Sequence, residues 1–386
     1  MSGTHSILSP SAAHRWLACP GSLAAAKHLP PERNSEDAAR GTLQHTLSET
    51  CLRRGGDPIG FLGTAHEVDG FKFTVDEEMC RNVGAYVNNI RRRTGRLMVE
   101  QHIDLAPVLG IPAQKGTADA IVLNRSTKTI EVHDAKFGFH RVDADANPQG
   151  LLYIAGALDF YSFYDKWEHA EFWIHQPRVD NFQTATYSIG EVQAFIDTVR
   201  PIATRAIAMY EGRIPIELTP GPKQCQWCPV RASCAARTKS IVDMFEVQPD
   251  EPAVAALGPE ELSAALALVD HVETWCGDIR AEARRRAMEG STVPGWKLVR
   301  GRKGKRFWSD PTAAESALSL LLDPAVMYEP RKLTTPAALE KVLRQDFESV
   351  ERFVGQEEGA LQLVPATDKR SEVVAVGAAD FSVAKD

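Results

Sequence analysis

Two sets of residues in this sequence have types and spacings suited to chemistry. The first is Gly116-Thr117-Ala118-Asp119, followed by Glu131-Val132-His133-Asp134-Ala135-Lys136. Read as a strand, residues 132–136 place Asp134 and Lys136 two apart on one face. Asp119 lies on the strand before. The intervening Asn124-Arg125-Ser126-Thr127-Lys128 has hairpin-loop length, so the chain returns antiparallel and Asp119 can approach that face. Two carboxylates from adjacent strands make a hard-oxygen site suited to Mg2+ or Mn2+. A neighbouring lysine can orient or help deprotonate an attacking water and stabilise charge on a phosphate. By itself a D-x-K alternation is more often an exposed ion pair. The second set is Cys225-Gln226-Trp227-Cys228-Pro229-Val230-Arg231-Ala232-Ser233-Cys234, a C-x2-C-x5-C pattern. Three thiolates so close call for a metal, with the fourth ligand from elsewhere in the chain, and Cys19 in Trp16-Leu17-Ala18-Cys19-Pro20 is the strongest candidate. Cys51, Cys80 and Cys276 stand alone and read as small core residues.

Context sharpens both readings. Gly-x-x-Asp, a hairpin and Asp-x-Lys together resemble the core of the PD-(D/E)xK nucleases. Gln149-x-x-x-Tyr153 on the following helix resembles the Q-x-x-x-Y element of their RecB subgroup, and Gly41-x-x-x-His45 resembles its G-x-x-x-H helix. The opening Ser9-Pro10-Ser11 with Cys19-Pro20 resembles the start of RecB/AddB-type nucleases that carry an iron–sulfur cluster, with one cysteine before the core and three after it. The resemblance covers roughly residues 5–240. It implies a restriction-endonuclease-like α/β core and metal-dependent hydrolysis of DNA phosphodiesters, with exonuclease action favoured. It further implies that His45, Asp119, Asp134 and the Ala135 carbonyl hold Mg2+ or Mn2+. Lys136 would position the water, and Gln149 and Tyr153 would support the lysine and the substrate strand. Cys19, Cys225, Cys228 and Cys234 would hold a [4Fe–4S] cluster, clasping segments 206 residues apart. A structural Zn2+ on the same thiolates is the alternative.

Over its whole length the chain is similar to a phage- and prophage-associated family of uncharacterised proteins, which implies a setting in phage DNA recombination or replication. There is no G-x-x-x-x-G-K-[ST] phosphate loop, so any motor would be a separate helicase or recombination protein. A different class of function is a catalytically silent DNA-binding or assembly module that keeps an iron–sulfur or zinc site. The intact Asp119, Asp134 and Lys136 set argues against it. Glu49, one helical turn after His45, is either an outer-shell residue or solvated. Glu100 is either an acidic residue of the kind relatives often keep on an early strand or simply an exposed strand residue. His14, His102, His133 and His140 show no partner pattern.

The elements that must position these residues follow from periodicity. Ser11–Leu17 leads into helix, and Ser35-Glu36-Asp37 opens a helix to about Arg54, its acidic start complementing the helix dipole. Residues 76–93 place Met79, Val83, Tyr86, Val87 and Ile90 at helical spacing. Strands are expected at 97–103, 117–123, 129–135 and 170–175, with helices at 148–164 and 190–211. The result is an α/β core with a small mixed sheet. Beyond a linker-like Pro249-Asp250-Glu251-Pro252, residues 259–289 form a long helix with Leu262, Leu266, Val269, Val272, Cys276 and Ile279 along one side. Residues 293–308 read as a basic hairpin whose aromatics either stack on unpaired bases or pack on a neighbouring helix. Residues 311–353 are mostly helical.

The expected organisation is a nuclease domain over 1–245, a mainly helical C-terminal region over 246–370, and a disordered tail over 371–386. A net charge of −7 does not mark a nucleic-acid binder, but local clustering of Lys and Arg matters more than their sum. No apolar run reaches signal-peptide or membrane-span length, so a cytoplasmic protein without membrane contact is expected. Seven cysteines in such a compartment favour metal or catalytic use over disulfides.

Overall fold

The computed structural model describes residues 6–30, 35–245 and 258–297, together with Thr312 and Ser316. The chain divides into two compact units, residues 1–299 and 300–386, and the elements below belong to the first. Two short helices, α1 (Ala13–Ala18) and α2 (Ser22–Ala26), precede α3 (Glu36–Arg54). A hairpin of β1 (Ala65–Val68) and β2 (Phe71–Thr74) leads to α4 (Glu77–Arg91). Then come β3 (Arg96–Asp104), α5 (Ala106–Leu109), β4 (Lys115–Asn124), β5 (Thr129–Ala135), α6 (Pro148–Phe160), β6 (His169–Gln176), β7 (Asn181–Ser188) and α7 (Ile189–Tyr210). The cysteine-rich segment carries α8 (Pro222–Gln226) and α9 (Ala235–Phe245), and α10 spans Pro259–Met288.

The sheet order is β3-β4-β5-β6-β7, antiparallel except for the parallel β5–β6 pair that α6 connects. This is the α/β class with a small mixed sheet expected from the sequence. Every residue of β5 is buried, because helices cover both faces. Ile130 and Val132 join a core with α1, α6 and α7, whereas Ala120 and Ala135 join a second core with α3 and α4. Strands β4 and β5 are therefore clamped between two helical layers.

Local chemistry fixes the helix starts that matter. Ser35 Oγ accepts the Ala38 N–H at the head of α3, and Gly55 closes it at φ 78. Asn147 Oδ1 accepts the Gln149 and Gly150 N–H groups at the head of α6, where Pro148 occupies the first turn. Gly150 and Gly156 let α6 lie close on the sheet, since a Cβ would stand 2.4 Å from Phe172 Cδ1 and 2.2 Å from Ile103 Cγ2 respectively.

The β1–β2 hairpin and β7 add to the expected strands, and α10 faces differently from its expectation. The β1–β2 hairpin turns at Asp69 (φ 53) and Gly70 (φ 83), the left-handed pair of a type I′ turn. The apolar stripe of α10 is exposed among the described residues: Leu262, Leu266, Val269 and Ile279 all face outward. The inward side of α10 instead carries Asp278, bonded to Arg231 and to the fully buried Arg237. The expected linker at 249–252, most of the basic hairpin at 293–308, the helical region at 311–353 and the tail at 371–386 lie outside the described residues. No helix among the described residues is long and apolar enough to cross a membrane.

Candidate metal centre and cysteine centre

The carboxylates meet where the central ladder opens. Pairing of β3 with β4 runs Val99 with Ala120 and Gln101 with Ala118, setting Glu100 directly across from Asp119. Glu100 itself adopts φ 48, a left-handed conformation uncommon for a residue with a Cβ. Pairing of β4 with β5 stops at Ala120 with His133. One step further Asp119 and Asp134 would face each other, and there Asp119 Oδ2 accepts the Ala135 N–H at 2.7 Å in place of a ladder carbonyl. From α3, His45 brings Nδ1 to 3.4 Å from Asp119 Oδ1, its ring held edge-on against Phe137. Ligand atoms of His45, Glu100 and Asp119 all lie within 4.8 Å of one another.

Asp134 and Lys136 form the adjoining half. Lys136 Nζ lies 2.8 Å from Asp134 Oδ2 and donates to Gln149 Oε1 at 3.3 Å, while Gln149 Nε2 donates to Asp134 Oδ1 at 3.1 Å. Gln149 thus closes a ring with the carboxylate and the ammonium. Tyr153, one turn along α6, is buried with its hydroxyl at Gln149 and the Thr117 backbone. Gly116 is required by that ring: a Cβ there would stand 2.6 Å from Tyr153 Cε1 and 2.9 Å from Pro10 Cγ. A cleft of about 540 Å³, lined by Leu52, Arg53 and residues 97–102, opens beside Glu100.

The electrostatics of this arrangement ask for a cation. Burial and then the charge of Asp119 push the Glu100 carboxyl up to about 7. Burial also raises Asp134, with Asp119 adding and Lys136 only partly offsetting. For Asp119 burial is outweighed by His45, Lys136 and the Ala135 N–H, which hold its carboxyl below the usual range. Burial likewise fails to discharge Lys136, because Asp134 and Asp119 keep it an ammonium. Apart from its ion pair with Lys136, Asp134 Oδ2 has no hydrogen-bond partner although it is buried. Crowded carboxylates and an imidazole fit a hard divalent ion.

The structure therefore brings His45, Asp119, Asp134, Lys136, Gln149 and Tyr153 together, and it joins Ala135 to them through its N–H. Glu100 is the addition: its place across from Asp119 makes it one of three residues whose candidate ligand atoms cluster together. Glu49 pairs with Arg53 at 2.8 Å, and its charge adds to the rise of Glu100 after burial and Asp119. Of the histidines without a sequence partner, His102 Nδ1 contacts Thr117 Oγ1 at 2.9 Å. His133 Nδ1 contacts His175 Nε2 at 3.0 Å, deep between β5 and β6.

The cysteines also converge. Cys19, Cys225, Cys228 and Cys234 line one cavity with Leu218, Pro220 and Val230, and all four are free thiols. Backbone N–H groups of Thr219, Gly221 and Arg237 point at the sulfurs of Cys19, Cys225 and Cys234 at 3.2, 3.3 and 3.4 Å. Burial raises the Cys19 and Cys225 thiols and these donors offset it only in part, but four sulfurs lining one cavity are a donor set that fits a four-thiolate metal centre. The cavity joins α1 to the segment beyond α7, since Cys19 and Thr219 are 200 residues apart. The loop after β5 reaches the cysteine segment, as His140 meets Trp227 edge-on at 4.8 Å.

Comparison with solved structures gives distant likenesses. One is a protein from Eubacterium rectale provisionally described as an exonuclease, at 10% identity and TM-score 0.33, covering 64% of this chain and 90% of that one. Another is the protein SSO0001, at 14% identity and TM-score 0.24, covering 56% and 93%. Residues 5–371 match the family described as protein of unknown function DUF2800, and the chain belongs to that family.

Proposed function

We propose that this protein is a metal-dependent DNA nuclease of the RecB/AddB type that hydrolyses phosphodiester bonds at the Asp119 centre, exonucleolytically rather than internally. The observation that carries the reading is the meeting of His45, Glu100 and Asp119 with the Asp134–Lys136–Gln149 ring at the opening between β4 and β5. His45, Glu100, Asp119 and Asp134 would hold Mg2+ or Mn2+, with the Ala135 carbonyl alongside. The ion would polarise a phosphate oxygen and make a bound water acidic. Lys136, as an ammonium, stabilises phosphate charge and orients the attacking water. Gln149 fixes both Asp134 and Lys136, so neither loses orientation when the other shifts. Tyr153 anchors the Gln149 turn of α6 against Gly116.

Cys19, Cys225, Cys228 and Cys234 are proposed to hold a [4Fe–4S] cluster, with a structural Zn2+ as the alternative, that ties the ends of a nuclease domain over residues 1–245. The resemblance noted above supports a setting in phage DNA recombination or replication, with a separate motor protein as partner. The test is anaerobic purification followed by cleavage of end-labelled single- and double-stranded DNA in Mg2+ or Mn2+, with Lys136→Ala in parallel. Metal-dependent cleavage that disappears in the variant is expected, and equal cleavage by both proteins would place the chemistry elsewhere. Iron, zinc and the visible spectrum of the same preparation separate the two cysteine-centre readings.

A further inference from the structure

The cysteine centre has charged neighbours that four thiols alone do not call for. Cys234 stands at the head of α9, where the Arg237 N–H meets its sulfur at 3.4 Å. The Arg237 side chain is fully buried, and its Nη1 donates to the Arg231 carbonyl at 3.1 Å and to Asp278 Oδ2. Arg231 lines the cavity beside the cysteines and donates from Nε to Asp278 Oδ1 at 2.9 Å. One carboxylate therefore serves two guanidiniums, which leaves one positive charge in excess. Asp278 comes from α10, and so does His271, which is buried nearby. Burial and then the Arg237 charge hold His271 below its ordinary value, so it supplies no counter-charge. Nε and Nη2 of Arg237 have no hydrogen-bond partner among the described residues. A buried guanidinium with two bare nitrogens and a half-share of a carboxylate is costly unless another negative group stands close by.

We infer that Arg237 and Arg231, held by Asp278, are the counter-charge of the cysteine centre, so that α10 docks more firmly on a filled centre than on an empty one. The inference rests on the four-thiolate reading proposed above. Four thiolates on Zn2+, or on an oxidised [4Fe–4S] core, total two negative charges. The excess positive charge of the arginines and the negative charge of the filled centre each cost less when the other is present. Geometry puts them together, since Arg231 lines the cavity and Arg237 follows Cys234 on the first turn of α9. Burial raises the Cys225 thiol, and the Gly221 N–H and then the Arg237 charge offset part of that rise, so the charge reaches the centre. Metal removal lets the sulfurs take up protons, and Asp278 is then left to match two guanidiniums. Filling the centre and docking α10 thus favour each other by the same factor. On this account α10 works with the cysteine centre although it lies beyond residue 245.

Hydrogen exchange in α10 of the full chain, with metal as purified and after chelation under reducing conditions, reads the coupling. Chelation should speed wild-type exchange there by about tenfold or more. Arg237→Met keeps the length of the side chain and loses its charge; its α10 should exchange faster from the start and respond to chelation less than about threefold. Arg237→Lys keeps the charge and should recover most of the wild-type response. Co2+ titration of the reduced, metal-stripped protein gives a second readout, because only cysteine ligands produce a thiolate-to-cobalt charge-transfer band. Arg237→Met should weaken that binding about tenfold or more, and Arg231→Gln, at a half-buried site that is easier to substitute, about threefold. A full wild-type chelation response in Arg237→Met would overturn the inference, since packing alone would then carry it. So would equal Co2+ affinity in wild type and Arg231→Gln. A wild type that holds no metal on these cysteines and shows no charge-transfer band would refute the four-thiolate reading itself. A normal band without dependence on either arginine would refute the counter-charge alone.

Discussion

Replacing Glu100 by Gln should make the metal-free protein more stable while weakening its response to metal. Glu100 stands across from Asp119 in a half-buried carboxylate cluster, and burial followed by the Asp119 charge carries its carboxyl from 4.5 to about 7. That displacement corresponds to about 3 kcal/mol against the ionised form. Partial exposure to solvent reduces the working figure to about 1–2 kcal/mol. The folded protein holds this proton more tightly than the unfolded chain, so the contribution lowers stability as pH rises from about 4.5 through about 7, and acts in full at pH 8. Gln has the same shape and keeps the left-handed backbone at this position, so the comparison isolates charge. In EDTA at pH 8, Glu100→Gln should melt about 2–8 °C above wild type, and the difference should shrink towards pH 5. With Mn2+ the order should reverse. An ion at a hundred times its dissociation constant stabilises the wild type by about 2.7 kcal/mol, and the variant should lose much of that gain. A variant that melts below wild type in EDTA and keeps the full Mn2+ increment would refute the reasoning.

Other consequences are equally direct. Gly116→Ala forces a Cβ into the Tyr153 ring and should cost about 1–3 kcal/mol, read as a lower urea midpoint; an unchanged midpoint would mean the ring does not pack there. Burial, with Arg93 adding, holds His133 down at about 3, and burial also lowers its partner His175 well below its ordinary value. Stability is therefore full above about pH 6.5 and falls as pH drops below it, by about 1.4 kcal/mol per pH unit for each proton that the unfolded chain binds and the folded protein does not. Between pH 7 and 5.5 the wild type should therefore lose about 2 kcal/mol more than His133→Gln/His175→Gln in urea unfolding, and equal losses would contradict the assignment. Asp278→Ala strips the partner from fully buried Arg237 and should loosen α10 by about 3–5 kcal/mol, seen as faster hydrogen exchange confined to that helix and its contacts.

Much of the core was legible because its strands and helices obey simple periods. Residues 129–135 alternate Ile130 and Val132 with Glu131 and His133, and the strand occupies just that range. The β1–β2 hairpin carries its own signal, Asp69-Gly70 between Val68 and Phe71, a dipeptide suited to a type I′ turn. Strand β7 gave little to read, since an edge strand of sequence NFQTATYS shows weak apolar alternation. The site was partly legible. Asp119, Asp134, Lys136 and Gln149 sit in recognisable local patterns, and His45 joined them through its place in a helix. Glu100 has no local pattern, because its role comes from register across β3 and β4 and a left-handed backbone that composition does not announce. The His133–His175 contact was equally hidden, since a parallel pair joined through α6 sets residues 42 apart side by side. The apolar side of α10 misled because the described helix is held by Asp278 and the arginines instead.

The central claim is that Asp119 is the hub of a hydrolytic metal site, and it is tested most directly by Asp119→Asn. End-labelled DNA cleavage and Mn2+ titration calorimetry would be run on the same preparations of variant and wild type. The account predicts that the wild type binds Mn2+ and cuts DNA. The variant should remain folded with its cysteine centre loaded, bind Mn2+ at least tenfold more weakly and leave the DNA intact. An Asp119→Asn protein that cuts as fast as wild type would contradict the account, whatever the wild type binds.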